Sequence, residues 1–349
     1  MRVLLLNPPA EETVLRDYFC SKTTKSNYLY PPIDLVMLSG ILASEHEVAV
    51  LDAVAERLSP RVAEARIEAL APEVIVSLVA SVTWPEDRAF LADQARRGRR
   101  VLVIGDVLQE DAARRLADEP WIEAALHDFT SRDVLAHLAG RDSAPGSMTV
   151  RGSDAAPREA AVRRKPDREY RVPRPLHELF PERGYRFSFA RSSRFASVLT
   201  DWGCPYPCTF CVMSTLGFST RPVADVLEEI DSLRARGVRE LFFLDQTFGV
   251  RRERALELCS AFAQRGDLSW TAFTRPDTAD EALLRAMRAG GCHTVILGVE
   301  SASDEVLRAT RKGYSTDQVG GAFERARAAG LRTAGTLLVG LPEGTGGTL

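Results

Sequence analysis

Three cysteines, Cys204, Cys208 and Cys211, fall within the segment 201–214, DWGCPYPCTFCVMS, and make up half of the six in the chain. On a helix, positions i, i+4 and i+7 would share one face. Gly203, Pro205 and Pro207 deny the segment a continuous helical ladder, so the sulfurs lie on a loop curled around something. Three thiolates this close bind either a zinc ion with a fourth ligand or three irons of a cubane cluster. Zinc sites usually pair one CxxC with a distant second pair, and neither a second CxxC nor an HxxxH is present. A [4Fe-4S] cluster normally takes four cysteines, so three would leave one iron open to a chelating ligand.

The elements that must position this loop follow from the alternation of short β-type runs with amphipathic helical ones. A strand at 197–200 runs into the loop, and Val223, Val226, Leu227, Ile230 and Leu233 then mark a helix face that stops at Gly237. A strand at 240–245 precedes a helix at 252–264 with Ala255, Leu258, Cys259 and Phe262 inward. A strand at 269–273 leads to a helix at 280–289, ended by Gly290-Gly291. A strand at 294–299 leads to a short helix capped by Ser303 and a longer one capped by Thr316, and a fifth strand covers 332–339. Five βα units in a row predict a partial (β/α) barrel, with function at the carboxyl ends of its strands.

CxxxCxxC with an aromatic before the last cysteine, on the first βα loop of such a barrel, resembles the radical S-adenosylmethionine (SAM) superfamily over 197–349. The resemblance implies a [4Fe-4S] cluster on Cys204, Cys208 and Cys211, SAM chelated at the open iron, and reductive cleavage to a 5′-deoxyadenosyl radical. It also implies an electron donor such as flavodoxin or ferredoxin. Phe210 looks like the family aromatic whose backbone meets the adenine. Asp245 and Gln246 stand where a GGE-type motif often binds the methionine amine, although GGE itself is absent. Arg275 is placed to pair with the SAM carboxylate, and Glu300-Ser301 in LGVES resembles the ribose-contacting position. Thr336, Leu338 and Gly340 lie in a stretch similar to the GxIxGxxE adenine motif, with Thr336 for its first glycine and Pro342-Glu343 at its end. Cys259, Cys292, His293 and Cys20 read as structural or incidental.

Residues 1–140 also alternate, with strands at 3–6, 48–52, 73–79, 101–105 and 124–126 and helices at 34–44, 60–70, 85–97, 110–117 and 131–138. This predicts a flavodoxin-like, doubly wound parallel sheet. Residues 141–195 lose the periodicity and gather prolines and arginines, so they read as a linker with Arg163-Arg164-Lys165 as a solvated face. The barrel domain then covers 196–349, and its stop after the fifth strand predicts a barrel incomplete at the C-terminus. A flavodoxin-like domain ahead of such a barrel resembles the cobalamin-binding subclass, on Asn7-Pro8-Pro9, Tyr30-Pro31-Pro32-Ile33-Asp34-Leu35 and the run 48–53. Asn7, Pro8, Ser77 and Gly105 are the cobalamin candidates that the strand ends supply; no DxHxxG offers a histidine for cobalt. The resemblance implies C-methylation of a small molecule, with radical cyclisation or rearrangement, or a non-catalytic scaffold, as alternatives. Methylthiotransferases share the cysteine triad but add three cysteines in the N-terminal domain, where this chain has Cys20 alone.

The 349 residues exceed what one core usually supports, and 45% apolar with 27% charged residues is an ordinary globular composition. A net charge of -3 gives no reason to expect nucleic acid or an anionic membrane as partner. No apolar run approaches the roughly 18 to 20 residues of a membrane span, and MRVLLLNPP is too short an apolar start for a signal peptide. A cytoplasmic setting keeps the cysteines reduced.

Overall fold

The computed structural model describes residues 1–24, 28–141, 146–151, 157–158 and 165–341. Arg163, Arg164, Pro342, Glu343 and the C-terminal 344–349 lie outside them. The chain forms two compact units, Met1–Arg163 with Arg171–Ser188, and Arg164–Tyr170 with Phe189–Leu349. The stretch expected as a linker is thus divided between them.

The first unit contains β1 (Arg2–Asn7), β2 (Val14–Leu15), β3 (Lys22–Thr23), α1 (Ile33–Ala43), β4 (Glu47–Asp52), α2 (Pro60–Leu70) and β5 (Val74–Leu78). It continues with α3 (Trp84–Arg96), β6 (Arg100–Ile104), α4 (Ala112–Asp118), β7 (Ala124–Leu126), α5 (Asp133–Leu138), β8 (Met148–Arg151) and β9 (Pro157–Arg158). The sheet order is β4-β1-β5-β6-β7-β8-β9. Its first five strands are parallel, in the doubly wound order expected, whereas β8 and β9 join antiparallel. Helix α1, IDLVMLSGILA, is buried on nearly every side, which is why it lacks a polar face. Gly40 is required within it, because a Cβ there would stand 2.5 Å from the carbonyl oxygen of Pro173. Helix α2 starts at the Ser59 cap with Pro60 in its first turn, where a missing N–H costs nothing.

The second unit contains β10 (Lys165–Glu169), β11 (Phe195–Val198), β12 (Asp201–Gly203), α6 (Met213–Leu216), β13 (Gly217–Thr220), α7 (Val223–Ala235) and β14 (Glu240–Phe243). After these come α8 (Arg252–Arg265), β15 (Ser269–Thr274), α9 (Glu281–Ala289), β16 (Cys292–Glu300), α10 (Asp304–Ala309), α11 (Thr316–Ala328) and β17 (Arg332–Leu337). Strands β11-β14-β15-β16-β17 form one parallel sheet in sequence order, the wall of a (β/α) barrel. Its core is aromatic: Trp270 is fully buried against Phe243, Phe248 and Phe262, and its indole N–H donates to the Gly290 carbonyl at 2.7 Å. Ser303 caps α10 as expected. The cap of α11 is Ser315 rather than Thr316, because Gln318 at the third helical position completes a capping box with Ser315. A small second sheet, β10-β13-β12, flanks the cysteine loop.

Candidate functional site

The cysteine loop is the connection between the paired strands β12 and β13. Trp202 faces Ser219 and Gly203 faces Phe218 across an antiparallel ribbon, and the Cys204 N–H donates to the Gly217 carbonyl at 2.9 Å. Gly203 has φ 77°, and a Cβ on it would lie 2.0 Å from that same Gly217 oxygen. Only glycine permits this entry into the loop. Beyond it the chain winds in turns, with Cys211 N–H to the Cys208 carbonyl at 3.3 Å and Ser214 N–H to the Cys211 carbonyl at 3.2 Å. Cys208 is buried, while Cys204 and Cys211 are half-buried. Burial pushes the Cys204 and Cys211 thiols above their ordinary range, and the neighbouring sulfurs push further.

Asp245, just past β14, holds the base of this loop. Its carboxylate accepts from the Thr200 N–H and hydroxyl, both at 2.6 Å, and from the Asp201 N–H at 2.9 Å. Arg254 in turn pairs with Asp201 at 2.7 Å. Burial pushes both carboxyls upward, and the arginine opposes this. Asp245 is thus fully engaged within the protein, and Gln246 beside it is exposed.

The carboxyl ends of β15 and β16 bring the next candidates against the loop. Arg275 stacks on the Tyr206 ring, its guanidinium carbon 3.6 Å from the centroid, and its Nη1 lies 3.9 Å from Cys208 Sγ as a donor. The same guanidinium donates to both Asp277 oxygens, at 3.0 and 2.9 Å, and to the Lys312 carbonyl. Glu300 ends β16 at φ 63°, an uncommon backbone for a residue with a Cβ, and costs about 1 to 2 kcal/mol that its contacts must offset. Its carboxylate accepts from Lys312 Nζ at 3.0 Å and from the Thr336 hydroxyl at 3.5 Å, and its carbonyl accepts from the Leu338 N–H at 3.0 Å. Lys312 Nζ sits 5.3 Å from the Phe210 ring centroid, and Phe210 is 38% exposed. Ser301 is buried, its N–H donating to the Val299 carbonyl at 2.8 Å. Gly340 has φ 88°, and no atom of the described residues lies within 4 Å of where its Cβ would be. Cys208, Phe210, Arg275, Glu300, Thr336 and Leu338 are therefore linked through direct contacts or shared partners, while Asp245 serves the loop from beneath.

Lys312, Tyr206 and Tyr314, which tie this cluster together, were not evident in the sequence. The only signal for Lys312 and Tyr314 was a basic and aromatic pair in the turn 311–315, RKGYS, shortly after LGVES.

In the first unit, Asn7, Pro8, Ser77 and Gly105 all lie at strand ends, but their polar atoms are turned inward. Asn7 donates to Asp52 at 2.8 Å and accepts from Arg16 at 2.9 Å, and the Pro8 carbonyl accepts from Arg16 at 2.7 Å. Arg16 pairs with Asp87 at 2.6 Å, both side chains fully buried. The Ser77 hydroxyl donates to the Leu78 carbonyl at 3.0 Å, and a Cβ on Gly105 would collide with the Val79 oxygen at 1.7 Å. These residues form a hydrogen-bonded floor at the strand ends, with their side-chain polar atoms engaged within the protein.

Among the described residues no three histidines, cysteines or acids close around one point as a single metal ion would require. Cys204, Cys208 and Cys211 supply three thiolates from one loop, a donor set that suits the three protein-held irons of a cubane.

Residues 202–347 match the radical SAM superfamily. An uncharacterised methyltransferase of Pyrococcus horikoshii is 30% identical over 362 residues, spanning 99% of this chain and 75% of that protein. The chain belongs to the radical SAM superfamily. This family uses a [4Fe-4S] cluster and SAM, and this member is a radical SAM enzyme. A tRNA-2-methylthio-N(6)-dimethylallyladenosine synthase of Salinispora arenicola is 26% identical over 264 residues, and the chain spans about half (47%) of that protein. Among solved structures, the methyltransferase TsrM of Kitasatospora setae, with cobalamin and a [4Fe-4S] cluster bound, superposes with TM-score 0.74 at 22% identity over 97% of this chain and 69% of TsrM. The cobalamin-dependent enzyme OxsB, with aqua-cobalamin and SAM bound, gives 0.71 at 14% identity over 98% of this chain and 50% of OxsB. At these identities the likeness is one of fold, and it covers both units. Among the described residues, no helix is long and apolar enough to cross a membrane.

Proposed function

We propose that this chain is a cobalamin-dependent radical SAM methyltransferase that methylates a carbon of a small-molecule intermediate. The observation that carries the reading is the cysteine loop held against the carboxyl end of β15 by Arg275 on Cys208, and against the end of α10 by the Thr209 N–H on the Thr310 carbonyl at 3.1 Å. When bound, the cluster supplies an electron to cleave SAM, and a methylated cobalamin supplies the methyl group.

The residues on the chain have separable tasks in this reading. Cys204, Cys208 and Cys211 hold three irons and leave the fourth to the methionine end of SAM. The backbone of Phe210 meets the adenine. Glu300 offers its carboxylate to the ribose diol from a geometry fixed by Lys312 and Thr336. Leu338 and Gly340 present backbone to the purine, with no described atom on the Cβ side of Gly340. The buried Thr200–Asp245–Asp201 network keeps the ribbon beneath the loop from moving. In the first unit, the strand ends around Asn7, Pro8, Ser77 and Gly105 fit a flat corrinoid resting on backbone, with no imidazole required from a DxHxxG motif. An intracellular flavodoxin or ferredoxin delivers the electron.

The full chain, reconstituted anaerobically, is passed over a desalting column with hydroxocobalamin and then incubated with SAM and a reductant. Retained cobalamin, with 5′-deoxyadenosine and S-adenosylhomocysteine formed together, supports methyl transfer. 5′-Deoxyadenosine alone points to rearrangement or cyclisation. Binding without either product leaves a scaffold role.

A further inference from the structure

We infer that Arg275 is a tuning residue, a permanent cation fastened to the cysteine loop that raises the reduction potential of the cluster the loop holds. This rests on the reading of Cys204, Cys208 and Cys211 as cluster ligands. One guanidinium meets several parts of the site. Its central carbon lies 3.6 Å from the ring centroid of Tyr206, inside the CxxxC spacing, and 4.9 Å from that of Tyr314 on the far turn. Its Nη1 points at Cys208 Sγ at 3.9 Å, and its other nitrogens go to Asp277 and the Lys312 carbonyl. A guanidinium cannot lose its proton at any relevant pH, so the charge at this sulfur is fixed. Hydrogen bonds and positive charge at ligating sulfurs favour the reduced, more negative cluster and so raise its potential.

Two comparisons decide that the field at Cys208 is net positive. Arg275 is almost fully buried, with 6% of its side chain exposed, while its partner Asp277 is 23% exposed and therefore better screened by water. Lys312, the other cation beside the loop, is matched by Glu300 at 3.0 Å with both side chains similarly buried, so that pair acts as a dipole rather than a charge. Arg275 consequently has a task different from the SAM-carboxylate contact expected from its place after the third barrel strand. Its fork is already spent on Asp277, Lys312 and the cysteine loop.

The test uses the full chain, reconstituted anaerobically with iron and sulfide as wild type, Arg275→Gln, Arg275→Lys and Asp277→Asn, and titrated by EPR without SAM. Poised at the wild-type midpoint, Arg275→Gln is expected to hold about tenfold less reduced cluster relative to oxidised, which is about 59 mV for one electron. Arg275→Lys keeps most of the wild-type ratio. Asp277→Asn moves the ratio the opposite way, because it removes the anion that offsets the guanidinium. A purely structural role does not give shifts of opposite sign. An unmoved ratio in Arg275→Gln, or a fall in both Arg275→Gln and Asp277→Asn, overturns the assignment. Where Arg275→Gln takes up no iron, Asp277→Asn decides: a rise supports the assignment, and no rise overturns it. A wild-type chain that forms no cluster refutes the cluster reading itself, and this proposal with it. A normal wild-type cluster with unmoved variants refutes Arg275 alone.

Discussion

Gly203→Ala is the perturbation that most directly probes how the fold holds the cysteine loop. The new methyl meets two costs. At φ 77° an alanine pays about 1 to 2 kcal/mol for the left-handed backbone. Its Cβ would also stand 2.0 Å from the Gly217 carbonyl oxygen, well inside contact, so the β12–β13 ribbon must open. Opening stretches the 2.9 Å bond from the Cys204 N–H to that oxygen, worth about 0.5 to 1.5 kcal/mol, and adds overpacking of about 1 to 3 kcal/mol. The local cost is then about 2.5 to 6.5 kcal/mol. Gly266→Ala is the control, since Gly266 has φ 71° but its nearest atom, the Ala263 oxygen, is 4.0 Å from a Cβ. It pays the backbone cost alone. Amide hydrogen exchange reads local opening: the Cys204 and Arg221 amides, both bonded across this ribbon, should exchange at least about fiftyfold faster in Gly203→Ala and be unchanged in Gly266→Ala. Iron and sulfide bound per chain should fall in the first variant only. Equal exchange and equal iron loading in the two variants would refute the claim that this glycine sets the loop.

Alanine at Cys204, Cys208 or Cys211 should each abolish the visible absorption of the reconstituted cluster. Alanine at Cys259 or Cys292 should leave it intact, because burial pushes the Cys259 thiol up to about 12 and holds Cys292 high as well, in the barrel core. Arg221 and Glu229 pair at 2.6 Å with both side chains fully buried, so Arg221→Met should cost about 3 to 5 kcal/mol by taking the guanidinium away from a buried carboxylate. Arg221→Met/Glu229→Met should recover most of that in urea unfolding, and a double variant as weak as the single one would contradict it. Burial pulls the His127 imidazole down from 6.5 to about 4 while its Nε2 bonds Thr149 at 2.8 Å. The unfolded chain therefore binds the extra proton first, and stability that is full above pH 6.5 is lost as pH falls toward 4, by about 3 kcal/mol. His127→Gln should flatten that stretch of the stability–pH curve, and an unchanged slope would count against the assignment.

Much of this architecture was legible because the determinants are local. Val3, Leu4, Leu5 and Leu6 or Val74, Ile75 and Val76 are continuous apolar runs of the kind only a sheet covered on both faces buries, and Gly237 and Gly290-Gly291 punctuate the helices that follow such runs. Strand β8 was hidden because Met148–Arg151 is short and polar at one end, and pairing with β7 defines it rather than its own pattern. The ribbon around the cysteines was hidden for the same reason: the three residues of β12 carry no periodicity, and Gly203 reads as a loop residue until Gly217 is seen beside it. At the site, residue type and strand end located Phe210, Arg275 and Glu300 but not their partners. An aspartate after a strand reads the same whether it faces a ligand or, as Asp245 does, the backbone of Thr200 and Asp201. Lys312 and Tyr314 join the site only through the turn after α10 that swings them onto Glu300 and the Gly298 carbonyl.

The measurement that tests the central claim most directly is EPR of the anaerobically reconstituted, reduced full chain, recorded before and after SAM is added. A cluster on three cysteines with one open iron predicts a [4Fe-4S] signal whose shape changes when SAM binds, and its loss when any of Cys204, Cys208 or Cys211 is replaced. A chain that forms no such signal, or one whose signal is indifferent to SAM, would contradict the account.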